Sequence, residues 1–215
     1  MAESARTVAP VTLTTEADAT ELVRVRESLR AELAASGEAL PSYNDLLIRI
    51  VARALRMHSE LNASLDGDRL LVHEGVHIGL AVDTERGLMA PVVRDADRLG
   101  VFEIAGETRR LIAATREGSI GREEMAGGTF TITNLGMYDI DAFTPIINLP
   151  EAAVLGVGRI VAKPVVVDEA TEQIAVRKML SLSLTFDHRI VDGAPAARFL
   201  QQIKRMVEGP VRWMM

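Results

Sequence analysis

The chain has 215 residues, enough for one large or two small units at ~100–200 residues per domain. It is 48% hydrophobic and 25% charged, a globular balance, and its 24 Lys and Arg against 30 Asp and Glu leave a net charge of −6 with no basic run to meet phosphates, so nucleic acid is not an expected partner. No stretch approaches the ~20 apolar residues of a membrane span, no hydrophobic signal core opens the chain and no cysteine is present, so the expectation is a cytoplasmic protein whose chemistry falls to His, Ser, Thr and carboxylates.

No repeat or linker-like stretch marks a boundary, and residues 1–215 read as one domain. A strand over Val11–Thr15 comes first. Asp18 and Glu21 then stand at capping-box spacing before Leu22, Val25, Leu29 and Leu33, which predicts a helix over about 18–35. Pro41-Ser42 opens a second helix with Leu47, Ile50, Val51, Ala54 and Leu55 on one side, and His58 at its end suits the helix dipole. Residues 69–82 are β-rich, Thr84–Gly87 supply a turn, and 88–93 form a further strand. A third helix is expected over 101–117, although Gly106 inside it costs ~1 kcal/mol relative to Ala.

The second half promises strands at Thr129–Thr133, Val154–Ile160, Val161–Val167 and Ala175–Thr185. The last alternates Leu180, Leu182, Leu184 and Phe186 with Ser181, Ser183 and Thr185, the pattern of one buried face. A final helix carries Ala197, Leu200, Ile203, Met206 and Val207, and the chain closes on an apolar Trp213-Met214-Met215 that calls for a partner surface. Mixed strands and helices with hairpin-like joins favour an α+β layered sandwich.

Two motifs mislead. His73-Glu74-Gly75-Val76-His77 matches the zinc-protease string, but that string binds metal only on a helix, and here it lies in a β context with glycines at 75 and 79, so no metal site is expected. Gly156 and Gly158 lack the third glycine of a dinucleotide fingerprint, and no nucleophile elbow occurs.

His188 differs from the other histidines because it stands where a buried strand gives way to a charged, glycine-bounded turn, a place where a rigid sheet can hold a reactive group; the bland alternative is a local ion-pair turn of Asp187, Arg189 and Asp192. The run Asp187-His188-Arg189-Ile190-Val191-Asp192-Gly193 resembles the D-H-R-x-x-D-G signature of dihydrolipoamide acyltransferases, the core-forming components of 2-oxo acid dehydrogenase complexes. Residues 11–13, 61–64, 78–84, 127–134 and 150–158 look like further family blocks in family order.

The resemblance implies a mixed-sheet sandwich similar to chloramphenicol acetyltransferase, built as a homotrimer with its active site in a channel between subunits, where coenzyme A enters at one end and lipoamide at the other. His188 and Thr133 would then come from different subunits, with Asp192 ordering the turn and Asp83, Asn134 and Gly158 lining the coenzyme A channel. Trp213, Met214 and Met215 match the family's hydrophobic knob, which joins trimers into a cubic 24-mer or a dodecahedral 60-mer. The implied partners are a lipoyl domain, a decarboxylase and dihydrolipoamide dehydrogenase. The chain itself shows no lipoyl or subunit-binding domain and no basic helix before the first strand, and it carries Met137-Tyr138 where the family commonly has Gly.

The chemistry suits these residues. A thiol of pKa ~8.5 is mostly protonated at neutral pH, and an imidazole of ordinary pKa ~6.5 can take its proton as sulfur attacks a thioester. A fixed hydroxyl aimed at the resulting oxyanion is worth ~10²–10³ in rate. Two other readings are a non-catalytic core scaffold, which has no need of His188, Thr133 and Asp192 together, and an antibiotic acetyltransferase. The acyl group expected is acetyl, succinyl or branched-chain.

Overall fold

The computed structural model describes residues 2–34, 39–67 and 69–214. A single helical turn, α1 (Ser4–Thr7), precedes β1 (Pro10–Asp18), α2 (Thr20–Leu33) and α3 (Tyr43–Met57). The hairpin β2 (Ala63–Asp66) and β3 (Arg69–Val72) leads to β4 (Ile78–Leu80), the hairpin β5 (Val82–Thr84) and β6 (Gly87–Met89), and the short β7 (Val92–Val93). After α4 (Val101–Glu117) come β8 (Phe130–Asn134), β9 (Ala153–Asp168), β10 (Gln173–Asp187), α5 (Gly193–Glu208) and α6 (Val211–Met214).

Local chemistry sets the helix ends. The Ser42 hydroxyl accepts from Asp45 N at 3.3 Å while Asp45 Oδ2 accepts from Ser42 N at 2.6 Å, a reciprocal cap worth ~1 kcal/mol that starts α3. Gly118, at φ 74°, closes α4 in the left-handed region that favours glycine. The expected cap of α2 is corrected: Asp18 ends β1, Ala19 holds the cap position without a side-chain bond, and Asp18 Oδ1 takes only Thr20 N, at 2.9 Å. Of the expected stripe on α2 only Leu22 is fully buried.

A six-stranded mixed sheet runs in the order β1-β10-β9-β8-β4-β7, with β9, β8 and β4 parallel and the remaining pairs antiparallel. One face, with Leu180, Leu182, Leu184, Phe186, Leu155 and Ile132, packs beneath α3 and α5, where burial of each large aliphatic side chain contributes ~1.5–3 kcal/mol. Phe199 of α5 meets Phe130 edge-on at 5.7 Å.

Two expectations change here. The strands expected at 154–160 and 161–167 are one strand, β9, because the chain absorbs an extra residue as a bulge: Leu182 pairs with Val157 but Leu180 with Ile160. The polar face of β10 is covered as well, with Ser183 and Thr185 2% and 1% exposed. The extended segment 139–150 crosses that face, and a Cβ on Gly156 would press on Phe143 and Pro145 at 3.2 Å. No helix among the described residues is long and apolar enough to cross a membrane.

Candidate active site

The end of β10 is pinned before His188 begins. Asp187 is 1% exposed, and its Oδ1 accepts from Ala9 N at 3.2 Å and Arg189 N at 3.1 Å, while Arg189 Nε reaches both carboxylate oxygens at 3.0 Å. Burial pushes this carboxyl up, but the Arg189 side chain and the two backbone amides together outweigh it and hold it below the ordinary carboxylate range. His188 N donates to Ala9 O at 2.9 Å, which ties the next residue to the start of β1.

The His188 imidazole is therefore fixed through its backbone, tilted against Phe186 at 5.7 Å, with its side chain 45% exposed. Asp192 caps α5 by position only, is 84% exposed, and lies 3.7 Å from His188 Nδ1, beyond hydrogen-bond reach. The ion-pair turn is thus real for Asp187 and Arg189, and Asp192 stands outside it.

Thr133 and Asn134 end β8 beside a second feature, a cleft of about 340 Å³ also lined by Asp83, Asn44, Arg116 and Tyr138. Asn134 Nδ2 donates to Asn44 Oδ1 at 2.7 Å and its Oδ1 accepts from Gly136 N at 2.8 Å, so a neutral amide locks the strand end to α3. Gly158 lies instead in the adjoining cleft of about 430 Å³, which Asn134 shares. A Cβ at Gly158 would collide with the Asp141 carbonyl, and Arg159 holds the same loop through Asp141 at 2.6 Å. Met137 and Tyr138 stand 69% and 60% exposed beside these clefts.

His188 and Thr133 do not meet within one chain. Thr133 pairs with Gly156 and Gly156 with Ser183, so His188 lies five residues further along β10 and two strands across. At ~3.4 Å per residue and ~4.8 Å per strand, that is roughly 17 Å along the sheet and 10 Å across it.

The remaining motifs have structural uses. His73 Nε2 pairs with Ser64 Oγ at 3.0 Å, and His77 Nδ1 accepts from Asp95 N at 3.0 Å, in a loop and not a helix. Among the described residues no group of three or more His, Cys, Asp or Glu could hold a metal. His58 caps α3 and stacks edge-on against Phe199 at 5.8 Å. Trp213 and Met214, expected to meet a neighbouring trimer, are half-buried against the chain's own core; Met215 lies outside the described residues. Sequence reasoning passed over Asn44 and Glu151; the signal for the latter was a lone carboxylate set between Pro150 and an apolar run.

The α+β sandwich is a fold shared with chloramphenicol acetyltransferase, to which the chain is similar at a TM-score of 0.55 and 16% identity over 96% of this chain and 88% of that one, a likeness of fold alone. The model of the family 2-oxoacid dehydrogenases acyltransferase (catalytic domain) matches residues 1–215, and the chain belongs to that family. It is 42% identical over 212 residues to the dihydrolipoyllysine-residue acetyltransferase component of the pyruvate dehydrogenase complex of Bacillus subtilis, covering 98% of this chain and 47% of that protein. The chain therefore spans about half the length of the curated relatives it matches.

Among solved structures, an Azotobacter vinelandii dihydrolipoamide acetyltransferase, studied for the role of a serine, a histidine and an asparagine in its catalytic mechanism, superposes with a TM-score of 0.93 at 36% identity over 100% of this chain and 87% of that one. The cubic core of the pyruvate dehydrogenase multienzyme complex gives 0.93 at 35% with the same coverage.

Proposed function

We propose that this domain moves an acyl group between dihydrolipoamide and coenzyme A, and that it works as a trimer within a larger core. The observation that carries this reading is the separation of His188 from Thr133: each is built into a well-ordered setting, yet they can act on one carbonyl only if a second copy brings its Thr133 to this copy's His188. In the Azotobacter relative the asparagine stands four residues beyond the histidine, the spacing of Asp192 from His188 here, which supports equating the two turns.

In this mechanism His188 accepts the proton of the attacking thiol as its sulfur bonds to the thioester carbon. The oxyanion of the tetrahedral intermediate takes a hydrogen bond from Thr133 of the neighbouring copy. As the intermediate collapses, the carbon–sulfur bond of the leaving thiolate breaks and His188 returns the proton to it. Asp83, Asn134 and Gly158, along the paired clefts, orient the coenzyme A arm, and the lipoyl group arrives on a separate domain. Trp213 and its neighbours contribute to contacts between trimers, and a decarboxylase and dihydrolipoamide dehydrogenase complete the assembly.

The test is transfer from acetyl-, succinyl- and isobutyryl-coenzyme A to free dihydrolipoamide, with sedimentation to verify the trimer. One thioester forming in preference to the others fixes the acyl group. No transfer by an intact trimer with any donor would replace this reading with a scaffold.

A further inference from the structure

Glu151 belongs to neither half of the site, yet it lies between them. It is 2% exposed, directly ahead of β9. Its Oε1 accepts from Asn148 Nδ2 at 3.1 Å, the same amide nitrogen donates to the Thr131 hydroxyl at 3.5 Å, and Oε2 is buried with no hydrogen-bond partner among the described residues. A carboxylate here would face one neutral donor, the Asn148 amide, and leave one oxygen bare, whereas a carboxylic acid carries no charge, places its proton on Oε2 and keeps Oε1 as an acceptor. Burial pushes its pKa up to about 7 against the smaller pull of Thr131 and Asn148.

Through Asn148 and its own chain neighbour it is linked to both halves of the site. Thr131 stands two residues before Thr133 on the same face of β8. On the other side Ala152, the next residue in the chain, accepts Asp187 N at 2.9 Å and donates to Ala63 O at 2.9 Å.

We propose that Glu151, in its neutral form, is a positioning residue that braces the strand carrying Thr133 against the strand end carrying His188, and that its ionisation loosens this brace and slows acyl transfer. The proposal rests on the acyl-transfer reading above.

Few charges face this carboxyl. Ser64 of the β2–β3 hairpin forms an isolated bridge to Glu151, and the Ser64 hydroxyl is bonded by His73, whose imidazole is held below its usual range by burial and then by His77. The turn before β8 presents Gly128, and β8 itself presents only Thr131. Across a shared cleft stand Glu3 and the Asp187–Arg189 pair, whose charges are spent on one another.

Glu151→Gln copies the shape of the neutral acid and cannot ionise. In the intact trimer, kcat of E151Q is expected within about twofold of wild type near pH ~6, with the wild-type to E151Q ratio falling about tenfold by pH ~8 while KM stays unchanged. Any titration of His73 is common to both proteins and cancels in that ratio. Because the folded pKa is raised, the Glu151 contribution to stability is present below ~4.5 and lost as pH rises through about 7, so wild-type Tm should fall relative to E151Q over that range.

Thr131→Val removes the hydroxyl that shares the Asn148 amide with Glu151 and keeps the acid, and is expected to lower kcat near pH ~6 with KM unchanged. A pH-independent kcat ratio, a folded E151Q without activity, or an unaltered kcat in T131V overturns the brace. If no protein transfers acyl groups the acyl-transfer reading fails, and a Tm difference that does not vary with pH then overturns the neutral acid independently.

Discussion

The two halves of the site are held by different forces. The His188 turn is charged and wet: a buried carboxylate, a guanidinium and the start of β1 fix its backbone while the imidazole faces solvent. The Thr133 end of β8 is held by neutral groups, its neighbour Asn134 locked by amide hydrogen bonds to α3 and to Gly136. A group that must exchange protons with a mobile thiol gains from access, with its orientation supplied by the backbone. A donor that stabilises a transient oxyanion gains from a setting where water does not screen it.

The sharpest way to break this division of labour is to remove one half at a time. His188→Ala is expected to lose ~10²–10⁴ in kcat, measured by thioester formation on dihydrolipoamide, with Tm nearly unchanged because the imidazole contributes little packing. Thr133→Ala should lose ~10²–10³ with KM less affected. Unfolded and co-refolded in equal amounts, these two inactive proteins should regain about a quarter of wild-type activity, because random trimers recreate intact interfaces at that frequency. No recovery from properly formed mixed trimers would place both residues in one chain's site.

Smaller effects test how the charged half is held. Asp187→Asn is expected to cost about 1–3 kcal/mol in urea unfolding, since the guanidinium loses its partner while keeping part of its hydration. The Asp187 carboxyl has a folded pKa depressed below its unfolded value of ~3.9, so its stabilisation is present above that pH and fades as pH falls through the lower, folded value; the Asn variant should lack this acid limb. Asp192→Asn should change kcat by less than ~5-fold, because an exposed pair at 3.7 Å contributes little.

Much of the helical layer was legible in the sequence: Pro41-Ser42 and the apolar spacing from Leu47 to Leu55 marked α3, and the expected 101–117 helix is α4. The sheet was less so. The bulge that makes β9 continuous depends on the register of β10, a long-range fact with no local signature. Covering of the Ser183–Thr185 face was hidden for the same reason, since the segment that supplies it has no periodicity of its own. His188 stood out by residue type and setting and Thr133 through the family resemblance alone, but their distance apart follows from strand order, which the linear chain does not display. Glu151 went unremarked because its burial depends on residues distant in the chain, such as Thr131 and Ser64.

Strand β1 has a single neighbour in the sheet, β10, and the contact between Ala9 and Asp187 joins positions 178 apart in the chain. During synthesis β1 therefore waits with a bare edge until β10 has emerged, and the turn bearing His188 is assembled only after that pairing. Loss of active protein through misfolding should accordingly concentrate in that waiting interval, where an unpaired strand is free to join another chain.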